Sequence, residues 1–203
     1  IIIYMEKEVK ERLDVMLDLE TLGTKEGSII LSVAMVTFNV DVLKAPKENF
    51  NYHQHISVLS SLFHHLRSDD SAEDWWMRQS EMARQKVLDG QKEALNVDGV
   101  MRLLYDLLSR YNDKYDLYIW GRGVGSFDLP LLDGVMKKVV GEGYQTPWRY
   151  WSAMDERTLV NFCKLCGMVF MPEETPHDAH ADVMKQIKEV QLCWQYVKVE
   201  KAM

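Results

Sequence analysis

The chain has 203 residues, which is long enough to bury one substantial core and fits a single domain. Its content of 47% hydrophobic and 27% charged residues is that of a globular protein, and no apolar run approaches the roughly 20 residues that a membrane span needs. The net charge of −7 argues against a protein that coats nucleic acid through a broad basic surface. Three cysteines, few and odd in number, favour a reducing cytoplasmic setting over a disulfide framework.

The first third of the chain is predicted to form strands. Residues 1–13 are expected to be a flexible or non-native extension, followed by a domain over residues 14–203. An apolar segment that leads into Asp18 predicts the first strand. Residues 28–40, rich in Ile, Val and Leu, predict a second strand, and residues 51–59 predict a third, which gives the sheet an antiparallel start.

Helices are predicted to dominate the rest of the chain, with one short buried strand at residues 117–120. Asp89-Gly90 is the predicted stop of the first helix, and Ser126 is the predicted N-cap of the third. Strands first, then alternating helices and strand, predict an α/β domain with a mixed sheet flanked by helices. The predicted helices cover residues 72–88, 97–111, 127–140, 155–166 and 179–199, with a loop at 141–151.

Two carboxylates end the first predicted strand, in the sequence Val15-Met-Leu-Asp-Leu-Glu-Thr-Leu-Gly23. Asp18 and Glu20 are two residues apart, so their side chains point to the same face of a strand. Adjacent carboxylates repel each other and are costly to desolvate, and divalent cations would compensate them. Taken alone, an acidic strand end that enters a polar turn closed by Gly23 is the commoner explanation.

Further acidic residues follow at junctions between elements. Asp128 lies in the first turn of the third predicted helix, where an acid that complements the helix dipole is the simpler explanation. His177 and Asp182 flank the start of the last helix. Asp182 falls about one turn into that helix and is expected to face the sheet, whereas His177 is expected on a mobile, solvent-facing loop.

The order of these residues resembles one enzyme family. Asp-x-Glu on a first strand, Phe-Asp at a later strand-to-helix junction and His-x₄-Asp at a terminal helix are similar to the DnaQ-like, DEDDh-type 3′–5′ exonucleases. The likeness extends over residues 14–197 and is strongest to a branch of bacterial and phage proteins described as exoribonuclease-like and exodeoxyribonuclease VIII-like. It implies a ribonuclease-H-like fold. The motifs shared beyond the acidic residues are Trp75-Trp76-Met-Arg-Gln79-Ser80, Trp120-Gly-Arg-Gly123, Pro147-Trp-Arg-Tyr150 and Asp155-Glu-Arg157-Thr158.

The resemblance implies phosphodiester hydrolysis with two metal ions about 4 Å apart, which stabilise the attacking and leaving oxygens. Asp18 would bridge both ions, Glu20 and Asp182 would complete the site that holds the nucleophilic water, and Asp128 would serve the second ion. Hard oxygen ligands favour Mg²⁺ or Mn²⁺ over Zn²⁺.

Two histidines near the last helix compete for the role of general base. The His-x₄-Asp spacing of the family selects His177, and the pKa of an imidazole lies close to working pH. His180 lies three residues further on, toward the interior of the helix. We therefore expect His177 to take the proton from water and His180 to contribute much less.

The resemblance also suggests contacts with the substrate. Thr21 and Leu22 would touch the terminal nucleotide through backbone and apolar packing. Trp75 or Trp76 would stack on a base, a contact of about 1–3 kcal/mol, although two tryptophans on one helix are more often core residues. The candidate phosphate ligands are Arg122, Arg149 and Arg157, the last with the alternative of pairing with Asp155.

A zinc module is the competing interpretation of Cys163-x₂-Cys166 and His177-x₂-His180. The ten-residue gap from cysteine to histidine and the short histidine spacing are both unlike common zinc fingers. Small buried thiols on a helix are the simpler explanation of the cysteines.

The leading hypothesis is a metal-dependent 3′–5′ exonuclease that acts on single-stranded nucleic-acid 3′ ends, with DNA slightly favoured. An exoribonuclease is the alternative within this class, because the sequence does not place the contacts that would read a 2′-OH. A catalytically inactive nucleic-acid-binding module and a zinc-stapled interaction domain are the alternatives of another class. Relatives in this branch are often dimers, so a homodimer is a further expectation.

Overall fold

A mixed β-sheet forms the centre of the computed structural model, which describes residues 9–170 and 177–200. Within those residues the strands are β1 (Arg12–Thr21), β2 (Ile30–Phe38), β3 (Asn51–His55), β4 (Asp116–Gly121) and β5 (Ala153–Asp155). Their order in the sheet is β3-β2-β1-β4-β5. β1 pairs antiparallel with β2 and parallel with β4. The strand that carries Asp18 and Glu20 is therefore the central strand.

Helices cover both faces of this sheet, as the predicted α/β architecture requires. The last predicted helix is confirmed almost to the residue. The helices of the described residues are α1 (Val58–Phe63), α2 (Asp70–Met77), α3 (Glu81–Lys92), α4 (Val97–Lys114), α5 (Asp128–Val140), α6 (Glu156–Leu165) and α7 (Ala179–Glu200). These helices are too short or too polar to cross a lipid bilayer.

Two apolar layers sandwich the sheet, and alternation along β1 decides which side chain enters which layer. Leu13, Val15 and Leu17 pack with residues of α4 and α5 in the larger core. Met16 faces the other way and packs with Val183 and neighbouring residues of α7. Asp18 and Glu20 continue the side of Met16, so they face α7.

The predicted helix over residues 72–88 is wrong, because the chain forms two helices there. Asp69 caps α2, and Ser80 caps α3 by accepting a hydrogen bond from the Ala83 N–H. The predicted stop at Asp89-Gly90 is also wrong, since α3 continues to Lys92. Gly90 instead allows close packing, because a Cβ there would lie 2.4 Å from the ring of His55.

Other local predictions differ from the structure in smaller ways. The predicted strand over residues 51–59 ends at His55, and Ser57 begins α1 as its N-cap. Ser126 does not cap α5, because its hydroxyl donates to the Gly123 carbonyl and Phe127 occupies the cap position. β1 begins at Arg12, two residues inside the predicted extension, and residues 1–8 lie outside the described part of the chain.

Candidate active site

Three carboxylates converge where the end of β1 meets the first turn of α7. Asp18 and Glu20 come from β1, and Asp182 comes from α7. One oxygen of each carboxylate lies within 4.8 Å of the others. The expected position of Asp182, facing the sheet one turn into the helix, is confirmed by its 8% exposure. This spacing is short enough for one cation to bind all three.

The carboxylates are held by a small number of hydrogen bonds that leave oxygens free. Gln186 Nε2 donates to Asp18 Oδ1 at 3.0 Å, and the backbone N–H of Asp178 donates to Asp182 Oδ2 at 3.3 Å. The other oxygen of Asp182, Oδ1, is buried without a hydrogen-bond partner, as is Gln186 Oε1. A buried oxygen without a donor is costly, so a cation is the missing partner that these atoms fit.

Asp128 is the fourth carboxylate of the site. It is buried in the first turn of α5, where its own backbone N–H and that of Leu19 partly offset the effect of burial on its pKa. Although it lies outside the group of three, its charge acts on both Asp18 and Glu20. All four predicted carboxylates are therefore brought to one end of the sheet.

Burial and mutual repulsion raise the pKa values of the acidic groups. The pKa of Asp18 lies well above its ordinary value because of burial and then the charges of its acidic neighbours. The same causes raise the pKa of Glu20 to about 8, and burial raises that of Asp128 to about 7. Burial also raises the pKa of Asp182, which the Asp178 N–H and nearby His177 partly offset. The site carries an excess of negative charge that a divalent cation would balance, and its hard oxygen donors suit Mg²⁺ or Mn²⁺.

His177 lies two residues before the start of α7 and beside the carboxylates. Its ring packs edge-on against Trp75, with centroids 4.8 Å apart, and more distantly against Trp76 at 6.5 Å. The residue has a left-handed backbone, with φ of 47°, which turns the chain into the helix. It is half-buried rather than solvent-facing, so this part of the expectation is wrong.

His180 points away from the carboxylates and toward β3. Its Nε2 lies 2.9 Å from Asn51 Oδ1, and its ring stacks on that of His53 at 5.8 Å. The two histidines therefore have separate surroundings, although only three residues divide them. Of the two, His177 is the histidine that acts on the charge of Asp182.

The predicted contacts for a terminal nucleotide lie around the end of β1. Trp76 is 7% exposed and donates from its indole N–H to the Thr21 carbonyl at 2.9 Å, whereas Trp75 is 41% exposed. Leu22 is half-buried against the main core. Trp76 therefore fits the interpretation as a core residue, whereas the exposed ring of Trp75 is accessible to a ligand.

The three predicted arginines have different surroundings. Arg122 pairs with buried Glu156 at 2.9 Å and with Glu189 at 2.7 Å. Arg149 pairs with Asp116 at 3.0 Å. Arg157 is exposed on the first turn of α6.

Some residues around the site were not expected from the sequence. Gln186, which contacts Asp18, lies four residues after Asp182 and so on the same face of α7, a spacing that identifies it in retrospect. The cysteines form no cluster with His177: Cys163 packs with Cys193 in a small buried cluster, and Cys166 is exposed, contrary to the buried position expected for it.

Comparisons with known proteins agree with this arrangement. Residues 13–194 match the family model described as the Rv2179c-like 3′–5′ exoribonuclease domain. The exodeoxyribonuclease of Enterobacteria phage T4 is 25% identical over an alignment of 197 residues, with 84% of this chain and 86% of the relative covered.

Solved structures share the fold. E. coli exonuclease I in complex with a dT13 oligonucleotide has a TM-score of 0.61 and 14% identity, with 90% of this chain and 41% of that chain covered. Its apo form gives the same TM-score at 13% identity, over 90% of this chain and 42% of that one. The chain thus spans about two fifths of the length of these exonuclease chains. The predicted ribonuclease-H-like fold is confirmed.

Proposed function

We propose, given that the chain belongs to the Rv2179c-like 3′–5′ exoribonuclease family and is a 3′–5′ exonuclease, that it releases mononucleotides from single-stranded 3′ ends with two Mg²⁺ or Mn²⁺ ions. The observation that carries the proposal is the convergence of Asp18, Glu20 and Asp182 within 4.8 Å, with a buried oxygen of Asp182 left unpaired. Buried carboxylates this close together are costly to ionise, and a positive partner offsets that cost.

The carboxylates would divide the metal ions between them. Asp18, at the centre of the group, would touch both ions, with Glu20 and Asp182 beside one and Asp128 beside the other. When bound, such ions stabilise the charge on the attacking and leaving oxygens of a phosphodiester. Gln186 donates from its amide to Asp18 Oδ1 and would hold this carboxylate in position for metal binding.

His177 would take the proton from the attacking water. It lies beside Asp182, and its ring is held edge-on by Trp75 at 4.8 Å, so its orientation is restricted before substrate binds. Thr21 and Leu22 would receive the terminal nucleotide, with Trp75 as the exposed ring on which its base stacks. Because Trp76 is tied to Thr21 at 2.9 Å, it would support that surface from below.

Phosphates of the substrate would be held by cationic side chains that remain accessible to solvent. Arg157 is exposed and therefore available to a phosphate. Arg122 already pairs with two carboxylates, so we assign it to positioning α7, with at most a shared contact to substrate.

The substrate would be single-stranded DNA. The similarity to a phage exodeoxyribonuclease over 86% of that protein supports DNA, and the fold is shared with an exonuclease bound to dT13. RNA is the second candidate, because the matching family is described as exoribonucleases. A homodimer in the cytoplasm remains our expectation from the family resemblance.

A single assay tests this function. Single-stranded DNA, single-stranded RNA and duplexes with a 3′ label are incubated with Mg²⁺, Mn²⁺ or EDTA, and label release is measured. We expect mononucleotides, faster from DNA, with either metal and none with EDTA. Asp182→Asn should abolish release, whereas Asp74→Asn, an exposed acid on α2, should not. No metal-dependent release from any substrate would instead favour a binding module.

The general base is tested by paired histidine variants. His177→Ala should abolish most turnover while leaving Mn²⁺ binding, measured by calorimetry, nearly intact. His180→Ala, whose ring faces Asn51, should lose much less. Equal losses for both variants would contradict the assignment.

A further inference from the structure

A groove runs beside α5, immediately after the residue that bears the fourth carboxylate. We call it the α5 groove; it has a volume of about 430 Å³, in the range of small-ligand pockets. Leu129 and Pro130, the two residues after Asp128, form one wall, and Trp148 and Tyr150 of the following loop form the other. The α5 groove therefore begins at the residue that follows Asp128 and is lined mainly by apolar and aromatic groups.

The loop that forms the outer wall is held firmly against the domain. The hydroxyls of Tyr144 and Thr146 both donate to Asp133 Oδ1 on α5, at 2.6 and 2.7 Å. Arg149 pairs with Asp116 at the start of β4, at 3.0 Å. A wall fixed at both ends loses little conformational freedom when a ligand binds.

Tyr150 stands out on this wall because 90% of it is exposed. Its ring and that of Trp151 form a T-shaped pair, with centroids 4.7 Å apart, and most of the Tyr150 side chain stays open to solvent. Folding does not use this large aromatic surface, and open aromatic rings beside a single-strand path are platforms for nucleobases.

The position of the groove relative to the metal site gives the direction of the substrate. The start of α7 leans toward β3, where His180 contacts Asn51, and the residues proposed for the terminal nucleotide lie around Thr21. The α5 groove reaches Ala153 of β5, at the opposite edge of the sheet. Gly125 and Leu129, which line the groove, flank Asp128 in the chain, so we expect a strand whose 3′ end lies at Thr21 to pass Asp128 and continue into this groove.

We propose that the α5 groove binds the nucleobase upstream of the scissile phosphate, stacked on the exposed ring of Tyr150. The proposal rests on the proposed exonuclease function and adds an upstream subsite to it. Stacking accepts any base, because every base has a π-face, so this subsite binds single strands without reading their sequence. A paired base, whose faces are already stacked in a duplex, would not enter the groove.

The test compares a substrate that fills the subsite with one that lacks the upstream base. Thymidine 5′-monophosphate p-nitrophenyl ester carries only the terminal nucleotide, whereas a single-stranded dT hexamer reaches into the groove. For each variant the ratio of kcat/KM for the hexamer to kcat/KM for the ester is measured. Tyr150→Ala should lower this ratio about 5- to 150-fold, and Tyr150→Phe, which keeps the ring, should restore it.

Phe63→Ala is the matched control, because it removes an exposed aromatic ring from α1, outside the groove. It should leave the ratio at the wild-type value. A Tyr150→Ala ratio equal to that of wild type, with both substrates still cleaved, would overturn the subsite and leave the exonuclease function standing. Wild-type protein that cleaves neither substrate would overturn both.

Discussion

Glu20→Gln should make the metal-free protein more stable at pH 8. Burial, followed by the charges of Asp182, Asp178 and Asp128, raises the pKa of Glu20 from 4.5 to about 8. The folded state therefore binds this proton more tightly than the unfolded state does. The contribution is present in full below about pH 4.5, and the free energy of unfolding falls as pH rises from there to about 8. Glutamine does not ionise, so the variant escapes this loss.

The magnitude follows from the size of the pKa change. A rise from 4.5 to about 8 corresponds to an upper limit of about 5 kcal/mol at pH 8. Glu20 is half-buried at the end of a strand, and partial access of water screens part of the repulsion. We therefore expect a gain of about 2 kcal/mol for Glu20→Gln at pH 8 and a much smaller gain near pH 5.

Urea unfolding in EDTA at pH 5 and pH 8 measures this gain, and Glu93→Gln, at an exposed carboxylate on the surface, is the control. Repeating the titration with saturating Mn²⁺ should reverse the order, because ligand binding to the folded state stabilises wild type more than the variant. A variant that is less stable than wild type at pH 8 without metal would refute the reasoning, as would a gain that is equally large at pH 5.

Three further substitutions test how the site is supported. Gln186→Leu removes the amide that holds Asp18 and should weaken Mn²⁺ binding about tenfold by calorimetry. Trp76→Phe loses the hydrogen bond to the Thr21 carbonyl and should cost about 1 kcal/mol in urea unfolding. Arg122→Ala leaves the fully buried Glu156 carboxylate unpaired and should cost about 3 kcal/mol by the same measurement.

Each of these variants has a control of the same residue type. Gln85→Leu, on the exposed side of α3, should not change Mn²⁺ affinity. Trp75→Phe removes an indole whose N–H has no part in the Thr21 contact and should cost clearly less than Trp76→Phe. Arg110→Ala, an exposed arginine, should stay within about 0.5 kcal/mol of wild type. A control that matched its test variant would contradict the corresponding contact.

The acidic site could be predicted from the sequence because period-two and helical spacing decide which way its side chains face. Asp18 and Glu20 share a face of β1 with Met16, which packs on α7, and Asp182 lies next to buried Val183 on that helix. The division of residues 72–88 into two helices was not predictable in the same way. The residues between α2 and α3 are compatible with a helix, and only the Ser80 cap, competing for the Ala83 N–H, shows the break.

The remaining parts of the site depend on contacts between residues far apart in sequence. The family resemblance suggests Arg122 as a phosphate ligand, yet its side chain pairs with two carboxylates from separate helices. Glu189 lies seven residues after Asp182, two helical turns along the same face of α7. The Arg122–Glu189 pair at 2.7 Å therefore anchors the helix whose first turn carries Asp182 and whose start positions His177. A shift of α7 would move a metal ligand and the proposed base together, so this ion pair links the stability of the fold directly to the geometry of catalysis.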